Sequence, residues 1–179
     1  MAVLAAFVGP SGAGKDTLME AVHTAQPDSH IVRRVITRPA SAGGEVFEGV
    51  TTEVFMRRAR AGDFALHWQA HDLHYGIPAQ VDEELDAGTL CLVNLSRNVL
   101  GQAARRFPSL HVFNITASPE VLAERLAKRG RESKDQILRR LSRKPDRFPP
   151  DLKLTEIVNE GPVSKAVRQV LAALHPAKA

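Results

Sequence analysis

Gly9-Pro10-Ser11-Gly12-Ala13-Gly14-Lys15-Asp16-Thr17 is the stretch whose residue types and spacing are best suited to chemistry. It follows an apolar run, Val3 to Val8, and precedes a helical pattern carrying Leu18, Met19 and Val22. Strand, glycine-rich turn and helix are the setting that a phosphate-binding loop requires. Glycines allow positive φ and close approach of backbone to ligand. Successive N–H groups then point inward, and the helix N-terminus adds partial positive charge, so the turn suits a polyphosphate. Lys15 is expected to stand exposed in the empty loop and to reach the β- and γ-phosphates of a nucleotide. The motif calls for Ser or Thr next, as a Mg²⁺ ligand; this chain has Asp16, with Thr17 one residue later. Both are candidate metal ligands. The spacing therefore points to ATP and Mg²⁺.

A second group of residues is basic. From 125 to 147 there are ten Lys and Arg, among them Arg125, Arg129, Arg131 and Arg140, against three acids. Phosphoryl transfer needs positive groups placed where charge develops on the moving phosphoryl. An arginine-rich helical hairpin over residues 128–140 reads as a lid that supplies them and excludes water on closure. Thr37-Arg38 ends a candidate strand, and Arg38 has the fork geometry to grip an acceptor phosphate. Tyr75 offers a phenol hydroxyl to the same phosphate. Asn94-Leu95-Ser96-Arg97 stands at the carboxyl end of a core strand, where polar residues face a ligand crevice. Asn94, Ser96 and Arg97 are acceptor-side candidates. His67, His71 and His74 have no metal-ligand spacing, and Trp68 reads as core.

The elements that must position these groups follow from periodicity. Strands are expected over residues 2–8, 31–36, 64–68, 73–77, 89–95, 110–116 and 154–158. Helices are expected over 15–25, 52–60, from Pro78 to Asp86, 97–106, from Pro119 onward behind a Ser118 N-cap, and 161–174. Ser133 to Gln136 reads as a capping box for a further helix. Strands alternating with helices imply a parallel sheet with right-handed crossovers. The fold class is α/β: a parallel sheet of about five strands flanked by helices, in a single domain. Its core takes residues 1–36 and 89–179. Residues 37–88 break the rhythm and read as a small substrate-binding insertion.

Composition limits the alternatives. The 179 residues suffice for one domain with a full core. The net charge of +4 suits highly anionic small molecules or nucleic acid. The single Cys91, in an apolar run, excludes an internal disulfide framework and reads as a buried thiol. The apolar run at residues 3–8 flows into the loop and reads as a strand, not a signal peptide. No run is long enough to span a membrane as a helix. A cytoplasmic protein acting on small molecules, without nucleic-acid or membrane partners, is expected.

Taken together, Gly9 to Lys15, Thr37-Arg38, Tyr75-Gly76, Arg125-Leu126 to Glu132 and Val158-Asn159 resemble the guanylate kinase family over residues 3–175. The resemblance implies a P-loop kinase fold. It places Gly9, Pro10, Ser11, Gly12, Ala13, Gly14, Lys15, Asp16 and Thr17 around ATP, with Arg131 on the nucleotide and Asn159 near the adenine. It makes Lys15, Arg125, Arg129 and Arg140 the catalytic set. Lys15-Asp16, Thr37 to Gly43, His74-Tyr75-Gly76, Val93 to Arg97 and Arg129 to Glu132 are similar to the family's ribose 1,5-bisphosphate phosphokinase branch, which makes 5-phosphoribosyl 1-diphosphate in phosphonate breakdown. The departures from guanylate kinases agree. A second arginine beyond Arg38 is replaced by Ala40-Ser41, a glutamate for the guanine edge by Ala65 to Gln69, and a strand-end acid by Asn94 and Ser96. Losing such carboxylates removes the hydrogen bonds on which a base-specific site depends. A guanylate kinase, a non-catalytic binding module of that family and a nucleic-acid binder are the alternatives. Lys15 argues against the second, and the third requires steeply salt-dependent affinity.

Overall fold

The computed structural model describes residues 2–39, 45–128 and 148–175. Its centre is a five-stranded, wholly parallel sheet in the order β2-β7-β1-β8-β9. These strands are β1 (Val3–Val8), β2 (His30–Ile31), β7 (Leu90–Asn94), β8 (Leu110–Thr116) and β9 (Leu154–Val158). β1 is apolar at every position because both sheet faces are covered. Leu4, Ala6 and Val8 join one buried cluster, and Ala5 and Phe7 join the other. Helices α1 (Lys15–Ala25), α4 (Leu100–Arg106), α5 (Pro119–Ala127) and α6 (Val163–Leu174) cover it. Ser118 caps α5, its hydroxyl accepting from Val121 N, with Pro119 in the first turn. Among the described residues no helix is long and apolar enough to cross a membrane.

A second, four-stranded sheet stands beside the first, in the order β4-β3-β6-β5. It contains β3 (Val35–Ile36), β4 (Glu48–Gly49), β5 (Phe64–Ala70) and β6 (Leu73–Pro78). β5 and β6 form a hairpin whose turn residues, His71 and Asp72, have φ of 52° and 59°. One face of this hairpin meets α2 (Thr52–Ala61), where Phe55 stacks on Phe64 and His74. The other face sends Leu66, Trp68 and Ile77 into the main core. Helix α3 (Gln80–Asp86) leads back to β7.

Three sequence expectations are corrected. Residues 31–36 are not one strand. Ile31 pairs with Leu92 in the parallel sheet, whereas Val35 pairs with Gly76 in the second. The chain changes sheets between them, turning Arg34 toward Glu45. Pro78 does not open a helix; it ends β6 opposite Phe64, where its lack of an N–H closes the ladder, and Ala79 precedes the helix. Residues 97–106 are two elements, a 3₁₀ turn at Arg97–Val99 and then α4. The expected capping box at 133–136, and with it the lid hairpin, lies outside the described residues.

Candidate active site

The turn between β1 and α1 is built so that only glycine fits at two of its positions. Gly9 has φ of +146°, and a Cβ there would lie 2.1 Å from the Ile115 carbonyl oxygen. Gly14, the residue before α1, has φ of +84°, and a Cβ there would lie 2.7 Å from Asn159 Nδ2. The loop is thus wedged between β8 and the end of β9, with its backbone turned toward the cleft. Lys15 is half-buried rather than exposed. Its Nζ donates to the carbonyls of Gly9 at 2.9 Å and Pro10 at 3.1 Å. The ammonium therefore lies within the curve of the loop, where it satisfies the loop's own carbonyls.

Asp16 and Thr17 follow on the first turn of α1. Asp16 Oδ1 accepts from Asn94 Nδ2 at 3.0 Å, and Asn94 is itself buried. One carboxylate oxygen is thereby tied to the end of β7. Thr17 is exposed on the cleft wall. A carboxylate and a hydroxyl on adjacent residues at the mouth of the loop are hard oxygen donors of the kind Mg²⁺ selects.

These groups line a cleft of about 510 Å³, whose opposite wall is made by Arg34, Arg38, Tyr75, Ser96 and Arg97. The Arg38 guanidinium lies over the Phe47 ring, 4.4 Å from its centroid. Tyr75 stacks on Trp68 at 5.3 Å, nearly parallel, and the Arg34 guanidinium lies 5.1 Å from the Tyr75 centroid. Arg34 is buried and pairs with Glu45 through two contacts, one of them from Nε to Oε2 at 3.0 Å. Ser96 Oγ accepts from Trp68 Nε1 at 3.0 Å. Arg97 donates to Asn114 Oδ1 at 3.0 Å, and Asn114 in turn donates to Glu156 at 3.1 Å. A larger cavity of about 1090 Å³ shares Asp16, Glu45 and Asn94 with this cleft and runs between α1 and α3.

The sequence model of the guanylate kinase family matches residues 3–176. The chain belongs to the guanylate kinase family. It is 46% identical over 171 residues to the ribose 1,5-bisphosphate phosphokinase PhnN of Agrobacterium fabrum, covering 94% of this chain and 93% of that one. It is 45% identical over 175 residues to the protein of the same name from Rhizobium etli, covering 96% and 89%. Among solved structures, guanylate kinase from Anaplasma phagocytophilum superposes with a TM-score of 0.69 at 19% identity, covering 96% of this chain and 84% of that one. That likeness concerns the fold.

In this guanylate kinase family member, the residues expected from sequence fall into three groups. The loop residues other than Ala13, which is buried in the core, meet Arg38, Tyr75, Asn94, Ser96 and Arg97 in one cleft. Arg125 and Asn159 meet at the loop's backbone. Arg125 donates to Gly12 O at 3.4 Å and Asn159 O at 2.8 Å, and Asn159 Nδ2 donates to Ala13 O at 2.8 Å. Arg129, Arg131 and Arg140 lie outside the described residues. Sequence reasoning missed Arg34, Glu45 and Asn114. Arg34 did leave a signal, being one of two adjacent arginines inside the otherwise apolar stretch 31–36. Asn114, within β8, buried except at its last residue, left a similar one. Glu45 left none. Cys91 is buried as expected, and burial followed by the Glu84 charge raises its thiol pKa to about 11, so it stays protonated.

Proposed function

We propose that this protein transfers the γ-phosphoryl group of ATP to the 1-phosphate of ribose 1,5-bisphosphate, forming 5-phospho-α-D-ribose 1-diphosphate and ADP. The observation that carries the reading is the single cleft that joins the Gly9–Thr17 loop to Arg38, Tyr75 and Arg97. A donor loop and cationic acceptor groups facing one another are what an in-line transfer between two phosphates needs. Relatives bearing the ribose 1,5-bisphosphate phosphokinase name at 45–46% identity support the choice of acceptor. The neutral Asn94 and Ser96 at the end of β7 support it too, because they offer no carboxylate to the N–H edge of a purine.

In this reading the loop N–H groups and Lys15 hold the β- and γ-phosphates. Lys15 exchanges its contacts with the Gly9 and Pro10 carbonyls for phosphate oxygens. Asp16 and Thr17 would hold Mg²⁺, which would offset the negative charge of the phosphates. Asn94 keeps the Asp16 carboxylate facing the cleft. Arg38 and the Tyr75 hydroxyl grip the acceptor phosphate, and the second sheet over residues 37–88 serves as the acceptor-binding insertion. An oxygen of that phosphate forms the new bond to the γ-phosphorus, and the bond to the β–γ bridging oxygen breaks with its electrons leaving on ADP. Arg97, oriented by Asn114, and the expected lid arginines Arg129, Arg131 and Arg140 neutralise the transferring group. Arg125 and Asn159 hold the loop in shape. The enzyme works on soluble phosphate esters in the cytoplasm.

The test is an ADP-release assay with ribose 1,5-bisphosphate and, separately, GMP as acceptor, with 5-phosphoribosyl 1-diphosphate measured directly. Turnover with the bisphosphate and formation of the diphosphate are expected. ADP release with GMP alone would make the protein a guanylate kinase.

A further inference from the structure

Behind two residues of the cleft wall, Tyr75 and Ser96, lies a buried indole. Trp68 stands directly across the β5–β6 hairpin from Tyr75, and the two rings stack at 5.3 Å with an angle of 10°. The indole is 7% exposed and packs among Leu66, Ile77 and Leu95. Its Nε1 donates to Ser96 Oγ at 3.0 Å. Two consequences follow from the chemistry of these groups. First, Trp68 covers one face of Tyr75 and the Arg34 guanidinium lies 5.1 Å from the same ring, so little aromatic surface is left on which a nucleobase could stack. Second, an indole N–H only donates. It takes up a lone pair of the Ser96 oxygen and leaves the hydroxyl proton to be given to the cleft. A hydroxyl that already accepts one hydrogen bond is polarised toward donating the next. Such a Ser96 suits a phosphate or sugar oxygen and is a poor partner for the N–H edge of guanine.

We propose that Trp68 is a specificity-determining residue that acts on the acceptor site from behind: it covers one face of Tyr75 and sets Ser96 as a donor to a base-free sugar phosphate. This rests on the acceptor reading given above. Nothing in the residue's type reveals the role, since a buried tryptophan on a hairpin is ordinary core; the role comes from the Ser96 contact at the carboxyl end of β7.

The experiment compares the wild-type protein with Trp68→Phe, which retains an aromatic ring but removes the donor together with part of the indole's volume, and with Ser96→Ala and the double variant. Ribose 1,5-bisphosphate and GMP are each measured as acceptor, and GMP also as a competitive inhibitor. In Trp68→Phe, kcat/KM for the bisphosphate falls about three- to tenfold, the loss of one neutral hydrogen bond. GMP holds its level or improves, so discrimination narrows. Ser96→Ala lowers kcat/KM for the bisphosphate to a similar degree, and the double variant is no worse than Ser96→Ala alone. If Trp68→Phe lowers both acceptors equally, or if the two substitutions simply add, Trp68 is structural core and the inference fails. If Trp68→Phe does not fold, an unchanged kcat/KM for the bisphosphate in folded Ser96→Ala overturns it equally. Wild-type preference for GMP overturns the acceptor reading itself and takes this inference with it, a result separate from a failure of the variants alone.

Discussion

Asn94, at the buried end of β7, donates from Nδ2 to Asp16 Oδ1 across 3.0 Å, joining the strand end that lines the cleft to the first turn of the helix that follows the glycine-rich loop. Asp16 is the residue at which the loop departs from the usual Ser or Thr. A free carboxylate beside a triphosphate would repel it, and the contact with Asn94 holds one oxygen aside while the other remains available. As a hypothesis, Asp16→Asn raises the Mg²⁺ concentration required for half-maximal rate and weakens MgATP binding, while metal-free ATP binds more tightly because a repulsive charge has gone. Asn94→Leu, which frees the carboxylate, produces a smaller rise in the Mg²⁺ requirement. Rate titrated against free Mg²⁺, and ATP affinity with and without chelator, measure both limbs. An unchanged Mg²⁺ requirement in Asp16→Asn would reduce the carboxylate to a favourable charge at a helix N-terminus.

Lys15 rests on the Gly9 and Pro10 carbonyls, so its removal touches both stability and chemistry. Lys15→Ala is predicted to abolish transfer and to lower folding stability by about 1 kcal/mol, the net worth of such hydrogen bonds. Circular dichroism and thermal unfolding check the second effect, and the ADP-release assay the first. A folded variant with near-normal turnover would show that phosphate charge is met elsewhere.

Arg129 belongs to the basic segment 125–147 that reads as a lid from sequence. Arg129→Ala is predicted to lower kcat more than it raises KM for either substrate, by roughly ten- to a thousandfold, because a lid arginine acts on charge that develops in the transition state. Steady-state kinetics with each substrate varied in turn separates the two. A change confined to KM assigns the residue to ground-state binding.

His111 lies inside β8, 2% exposed, with Nε2 against Thr155 Oγ1 at 2.8 Å and Nδ1 without a hydrogen-bond partner among the described residues. Burial, and secondarily the charge of Lys153, lowers its pKa from 6.5 to about 4. The unfolded chain therefore binds this proton more readily than the folded one between those values. Stability contributed by the neutral ring is complete above pH 6.5 and is lost as pH falls toward 4, by about 3 kcal/mol. Urea unfolding at pH 7.5, 6, 5 and 4 measures the slope. In His111→Leu that part of the slope should vanish; its persistence would assign the acid sensitivity to other groups.

The loop, the parallel sheet, the N-cap at Ser118 and the cleft-lining residues Arg38, Tyr75 and Ser96 were legible in the sequence. Each rests on local chemistry: glycine spacing, apolar runs of strand length, a Ser-Pro pair before a helix. Tertiary structure alone decided what those residues do to one another. Residues 31–36 read as one strand because every apolar position fits a single strand, yet they are shared between two sheets, and pairing partners far along the chain choose the break. Asn94 and Asp16 are 78 positions apart and Trp68 and Ser96 are 28 apart, so neither contact has any sequence period to betray it. Glu45 meets Arg34 from 11 positions along the chain, a pairing that local propensity does not dictate. Local patterns carry the backbone's own preferences, whereas hydrogen bonds between side chains of different elements exist only once packing has brought those elements together.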